Sequence, residues 1–174
     1  MIVKNLVDVT GIFDYTKSIQ TKGRMNDPQA KGAPSFYGDR EMWKLQFKAM
    51  RKIEDVTGFK LYPTYNYFRI YNKNSYLKPH IDRNACEVSA SINLGYDGDY
   101  IWDLWIEDKD GKPFCAHLEP GDALIYLGCE RLHWRQDADD RVICQSQLFI
   151  HFVKQDGKNT NEILDWSITN RCKL

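Results

Sequence analysis

Three residues in this chain have the types and spacing to hold a metal ion. His80 and Asp82 stand in Tyr76-Leu77-Lys78-Pro79-His80-Ile81-Asp82-Arg83, and His133 follows in Arg131-Leu132-His133-Trp134-Arg135. Two imidazoles and one carboxylate make the donor set of a non-haem iron(II) facial triad, which leaves three coordination positions open. In extended chain, residues i and i+2 project to the same side, so a His-x-Asp pair aims both donors at one point. His133 would have to arrive on a strand that folds back alongside. The dipeptide alone also fits a blander reading, in which His80 is a polar loop residue beside Pro79 and His133 a hydrogen-bonded core residue. His117 and His151 are the competing imidazoles.

The elements that must position these donors are mostly strands. Short β-like runs fill Thr64–Tyr71, Glu87–Leu94, Tyr100–Ile106, Cys115–Leu118, Ala123–Tyr126 and Val142–Val153. Between them stand turn signals: Asn72-Lys73-Asn74, Gly95 to Asp99, Asp110-Gly111 and Pro120-Gly121-Asp122. That pattern predicts a mainly β, antiparallel jelly roll. One convincing helix precedes it, over Asp39–Val56. Met42, Leu45, Ala49, Met50, Ile53 and Val56 form its apolar stripe, Asp39 is placed to cap it and Gly58 to stop it. We read it as a buttress for the sheet. Thr21–Arg40, with Gly23, Pro28, Gly32, Pro34 and Gly38, reads as an irregular loop that either closes over a site or merely wraps the body. The polar tail Gln155–Leu174 carries the anchors Leu164 and Trp166. The chain's 174 residues read as one domain, 1–174, with no internal repeat.

Alternation divides each strand into two faces. Tyr65, Tyr67, Arg69 and Tyr71 share one side, opposite Phe68 and Ile70; Ser89, Ser91 and Asn93 oppose Val88, Ala90, Ile92 and Leu94. The polar side either meets solvent or lines a wet barrel interior while the apolar side packs under the helix. The triad favours the second arrangement.

Composition weighs against other classes without excluding a nucleic-acid partner. Acidic and basic residues balance at 24 each, which argues against a nucleic-acid partner. The five cysteines are scattered without a Cys-x-x-Cys pair, which argues against structural zinc and fits a reducing cytoplasm. Lys4 and Asp8 interrupt the start as no signal peptide would be, and no apolar run reaches membrane-spanning length. Trp102, Trp105, Trp134 and Tyr37 are candidates for a pocket mouth.

Taken together, Tyr62-Pro63-Thr64-Tyr65, His80-Ile81-Asp82-Arg83, Ser91-Ile92-Asn93-Leu94-Gly95, Pro120-Gly121-Asp122-Ala123-Leu124 and His133-Trp134-Arg135 resemble the 2-oxoglutarate- and iron(II)-dependent dioxygenases. The likeness is to small bacterial and phage oxygenases related to the prolyl-hydroxylase-like branch, and it runs from about Gly32 to Phe152. It implies a double-stranded β-helix (cupin-like) with a helix on its flank. It further implies iron(II), 2-oxoglutarate and O2, with His80, Asp82 and His133 as ligands. The reaction implied is hydroxylation of an organic substrate with release of succinate and carbon dioxide. The far carboxylate of 2-oxoglutarate needs a cation, for which an arginine offers a fork. Arg141, on the late strand, is the first expectation; Arg135 and Arg69 are the substitutes. Tyr71 and Asn93 stand where cosubstrate contacts are usual, and both also fit framework roles. The substrate, a small molecule or a peptidyl group, is not legible. The alternatives are a non-catalytic jelly-roll binding module and a cupin-like metalloenzyme that needs no 2-oxoglutarate.

Overall fold

The computed structural model describes residues 1–25, 27–30 and 32–164. Its elements in chain order are β1 (Ile2–Val3), α1 (Ile12–Ile19), β2 (Ser35–Tyr37), α2 (Arg40–Thr57), β3 (Leu61–Tyr71), β4 (Leu77–His80) and β5 (Val88–Asp97). There follow β6 (Leu104–Glu107), β7 (Pro113–Ala116), β8 (Ala123–Tyr126), β9 (His133–Arg135) and β10 (Cys144–Lys154). The strands form two antiparallel sheets, ordered β1-β8-β5-β10-β3-β2 and β4-β9-β6-β7. From β3 to β10 the chain crosses between the two sheets at every step except β6–β7, as in a jelly roll, and the residues between the sheets form its interior.

Helix α2 forms where its apolar spacing predicts. Asp39 Oδ1 accepts from the Glu41 and Met42 amides at 2.9 and 3.1 Å, and Gly58, at φ 73°, ends the helix in the left-handed region. Its buried face (Met42, Leu45, Gln46, Ala49, Ile53) packs on the outer side of the larger sheet, against Phe68, Ile70, Ile92, Leu148 and Phe152. The one polar residue on that face has a structural reason. Pro63 has no N–H, and the β3–β10 pairing shifts register between Ile150 and Phe152. Gln46 Nε2 donates to the Tyr65 and His151 carbonyls at this irregularity.

Several features depart from the sequence reading. Helix α1 was not expected, because its eight residues give too short a stripe for a firm period. Ile12, Tyr15 and Ile19 nevertheless pack on the core, and Gly95 permits the contact. A Cβ on Gly95, at φ 143°, would lie 2.6 Å from the Phe13 side chain. The loop expected over Thr21–Arg40 contains β2, whose Ser35 bridges Arg24. The run expected from Tyr100 becomes strand only at Leu104. Side chains occupy its backbone instead: Trp102 N–H donates to Gln145 Oε1, and the Trp102 carbonyl accepts from Gln145 and Arg135. The tail anchor Leu164 is half exposed, its amide bonded to the Pro63 carbonyl, while Trp166 lies outside the described residues. Among the described residues no helix is long and apolar enough to cross a membrane.

Candidate active site

The smaller sheet assembles the triad. β4 pairs with β9 so that His80 lies directly opposite His133, with ring centroids 4.2 Å apart. Asp82, two residues past His80, is fixed by its amide donating to the Gly128 carbonyl at 2.8 Å. Gly128 must be glycine, since a Cβ there would lie 2.5 Å from Asp82 Oδ2 and 2.4 Å from the Cys86 carbonyl. Asp82 Oδ1 then stands 3.7 Å from His80 Nε2 and 3.6 Å from His133 Nε2. The three donor atoms lie within 4.8 Å of one another.

Orientation and protonation both suit a divalent cation. His80 Nδ1 faces the Lys78 carbonyl at 2.8 Å, and His133 Nδ1 faces the Arg131 carbonyl at 2.9 Å. Each carbonyl holds the proton on Nδ1 and leaves the Nε2 lone pair turned to the cluster. Burial pushes His133 down to about 4, and burial with the neighbouring His133 lowers His80. Burial pushes Asp82 up to about 6. At neutral pH the donors are therefore two neutral imidazoles and one carboxylate, the form in which these groups bind metals. Asp82, Cys86 and His151 form a second close group. There Ser89 Oγ bonds His151 Nδ1 at 2.9 Å, and Tyr65 Oη contacts Cys86 Sγ at 3.1 Å.

The triad opens into a cavity of about 420 Å³, counting its mouth. Tyr65, Tyr67, Arg69, Tyr126, Phe149 and His151 are among its walls, with Tyr37 and Gln29 from the segment before α2. The polar face of β3 therefore points into the barrel, as the triad argued, and the apolar face lies under α2. Of the two competing imidazoles, His151 lines the triad cavity. His117 does not: it is an exposed residue 2.8 Å from Asp103. Of the four aromatic candidates for the mouth, Tyr37 lines the cavity. Trp105 and Trp134 stack on each other, and Trp102 packs edge-on to Tyr71.

The three arginines separate clearly. Arg141 precedes β10, exposed, with Nη2 2.6 Å from Asp139 and its guanidinium over the Tyr100 ring. The structure does not bring it to the triad. The acidic run that precedes it captures it first. Arg69 is buried and lines the cavity itself. Its Nε donates to Tyr67 Oη at 2.7 Å, Nη1 to Tyr71 Oη at 3.4 Å and Nη2 to Asp27 Oδ2 at 2.6 Å. Arg135 follows His133 on the same face of β9, fully enclosed between the Tyr71 and Trp102 rings. It donates to the Trp102 carbonyl, while its Nε has no partner among the described residues. Asn93 holds the framework: Nδ2 donates to the Leu118 carbonyl and Oδ1 accepts from Gly95. Tyr71 is wholly buried behind the cavity wall. Sequence reasoning missed Asp27; in an irregular segment no periodicity points a side chain inward.

No protein-family model matches the chain, and no curated protein matches it. Solved structures do. A prolyl-4-hydroxylase from Pseudomonas putida superposes with TM-score 0.65 at 13% identity, over 89% of this chain and 92% of that one. A Trichoplax adhaerens prolyl hydroxylase, solved with a hypoxia-inducible-factor peptide fragment, gives 0.67 at 12% identity, over 89% and 83%. HygX from Streptomyces hygroscopicus, solved with nickel and 2-oxoglutarate, gives 0.67 at 10% identity, over 90% and 83%. The chain has the fold of the 2-oxoglutarate- and iron(II)-dependent oxygenases. The resemblance in its motifs and the likeness of its backbone thus point to one architecture, the double-stranded β-helix expected from the sequence. At these identities the likeness speaks for the oxygenase fold and leaves the chemistry to the residues.

Proposed function

We propose that the chain is an iron(II)- and 2-oxoglutarate-dependent oxygenase that hydroxylates an organic substrate, with residues 1–174 acting as one domain around a core of about 32–152. The observation that carries this reading is the cavity that holds both His80, Asp82 and His133 and the Arg69 guanidinium. The donor set fits iron(II): two nitrogens from adjacent strands and one carboxylate oxygen from just past the first, with the carboxylate offsetting one of the two metal charges. Bound there, iron(II) would supply oxygen activation coupled to decarboxylation of 2-oxoglutarate, so that one oxygen atom ends in succinate and the other in the hydroxylated product.

The chain's own residues do the rest. The Lys78 and Arg131 carbonyls keep both imidazoles in the ligating tautomer. Arg69 is the cation that takes the far carboxylate of the cosubstrate, in place of Arg141. Tyr67 and Tyr71 fix the plane of its guanidinium, and a planar fork matches a carboxylate. Phe149 and Leu77 wall the cavity with apolar surface and limit water. A cupin-like centre without 2-oxoglutarate would have no use for a buried cation beside the metal, and a binding module would have no use for three converged donors. The substrate is a small molecule or a peptidyl group; HygX, solved with hygromycin B, and the hydroxylase solved with a peptide fragment span that choice.

The test is succinate formation from 2-oxoglutarate by the iron-loaded protein. Arg69→Ala should raise the KM for 2-oxoglutarate about 100-fold, the cost of roughly one charge-assisted pair, and leave metal affinity unchanged. Arg141→Ala should keep the wild-type KM. The reverse pattern would return the role to Arg141, and no succinate from any form would refute the reading.

A further inference from the structure

Arg69 already has a carboxylate on it, and that carboxylate belongs to the chain. Asp27 Oδ2 accepts from Arg69 Nη2 at 2.6 Å and from Tyr67 Oη at 2.5 Å. Arg69's other close partners are neutral phenols, with Gln29 Oε1 at a longer 3.5 Å. Asp27 comes from outside the barrel, on the segment ahead of β2. Its second oxygen, Oδ1, faces back along the chain and accepts from the Gln29 amide at 2.9 Å. The ion pair is therefore made through one oxygen, where a guanidinium can offer a carboxylate two parallel bonds. Gln29 accompanies Asp27 into the cavity wall, and its carbonyl meets the Lys78 amide at 3.4 Å. The segment thus seats its own anion on the cavity's cation, beside strand β4, which carries His80.

Given the assignment of Arg69 above, on which this step rests, we propose that Asp27 is a built-in competitor for the far carboxylate of the cosubstrate. Asp27 holds Arg69 between turnovers. A dicarboxylate anchored at its other end by the metal takes the guanidinium through two bonds and releases the Asp27–Ala30 segment from the wall. Succinate keeps the same far carboxylate after the reaction, so the return of Asp27 to Arg69 displaces product. Asp27 thereby sets cosubstrate affinity and couples it to the opening of the cavity.

The test is calorimetric titration of the manganese(II)-loaded protein with 2-oxoglutarate, in the wild type and in Asp27→Asn. Asparagine keeps the oxygen that bonds the Gln29 amide and replaces the oxygen that holds Arg69 with an uncharged NH2, which cannot accept from the guanidinium. The expected result is binding about tenfold tighter in the variant, the equivalent of one charge-assisted hydrogen bond no longer in competition. A second readout needs no variant: 2-oxoglutarate should speed hydrogen exchange at the Gln29 and Lys78 amides of the wild type. Unchanged or weaker binding in Asp27→Asn, or slower exchange on binding, would make Asp27 a permanent support of Arg69 and overturn the proposal. If Arg69→Ala still weakened binding about 100-fold in that case, the functional reading would stand without it. No binding by the metal-loaded wild type would sink both.

Discussion

One sheet separates two layers of opposite character, and strand β3 borders both. On its outer side Phe68 and Ile70 meet the apolar face of α2. On its inner side Tyr65, Tyr67, Arg69 and Tyr71 are equally buried, yet they carry phenols and a guanidinium. Both layers are buried; they differ in chemistry. The outer layer gains stability from transfer of apolar surface, roughly 25 cal/mol per Å². The inner layer keeps groups that are costly to bury and retains them only through specific partners. Stability therefore draws on apolar contacts on both sides of the sheet, including Leu104, Ile106 and Leu118 inside, while the chemistry lies inside it alone.

The strongest attempt to break that division is Asp82→Ala. It should abolish metal-dependent activity while leaving the metal-free protein as stable or more so, because the variant no longer buries a carboxylate that burial has pushed up to about 6. Parallel metal-binding and thermal-melting measurements check both halves; a large loss of folding would refute the division. Phe68→Ala should do the reverse, costing about 3–5 kcal/mol of stability by denaturant melting. The fraction that remains folded should keep its metal affinity.

A third prediction concerns acid. Burial pushes His151 down to about 3, against roughly 6.5 in an unfolded chain. The unfolded state thus binds more protons below pH 6.5, so stability falls as the pH drops from there toward 3. The loss assigned to this one buried group is on the order of a few kcal/mol. His151→Gln should flatten the acid limb of a stability–pH curve for the metal-free protein, and an unaltered limb would place the sensitivity elsewhere. The smallest effect belongs to the outer layer: Asp39→Ala should cost about 1 kcal/mol by removing the cap of α2, with activity unchanged.

The two layers also differ in how readily the sequence shows them. Helix α2 and strand β8 were legible almost to the residue, because period and cap or turn signals coincide. The triad was legible because His-x-Asp carries its own geometry. Strands β4 and β9, which deliver its two histidines, were not, since four- and three-residue strands hold too few side chains to show alternation. The proposed cation differs from the expected one for a related reason. Arg141 stands where the resemblance looks for it, but Asp139, two residues before it, offers a local partner. Arg69 had only its place on the polar face of β3 to recommend it, and its anion comes from a segment without periodicity.

The central claim is that the triad and Arg69 together bind iron(II) and 2-oxoglutarate. Its most direct test is anaerobic titration of the protein with iron(II) and then 2-oxoglutarate, followed by visible absorption. The account predicts a weak metal-to-ligand charge-transfer band that appears only after 2-oxoglutarate and is lost in Asp82→Ala. Iron binding without the band, or no iron binding, would contradict it.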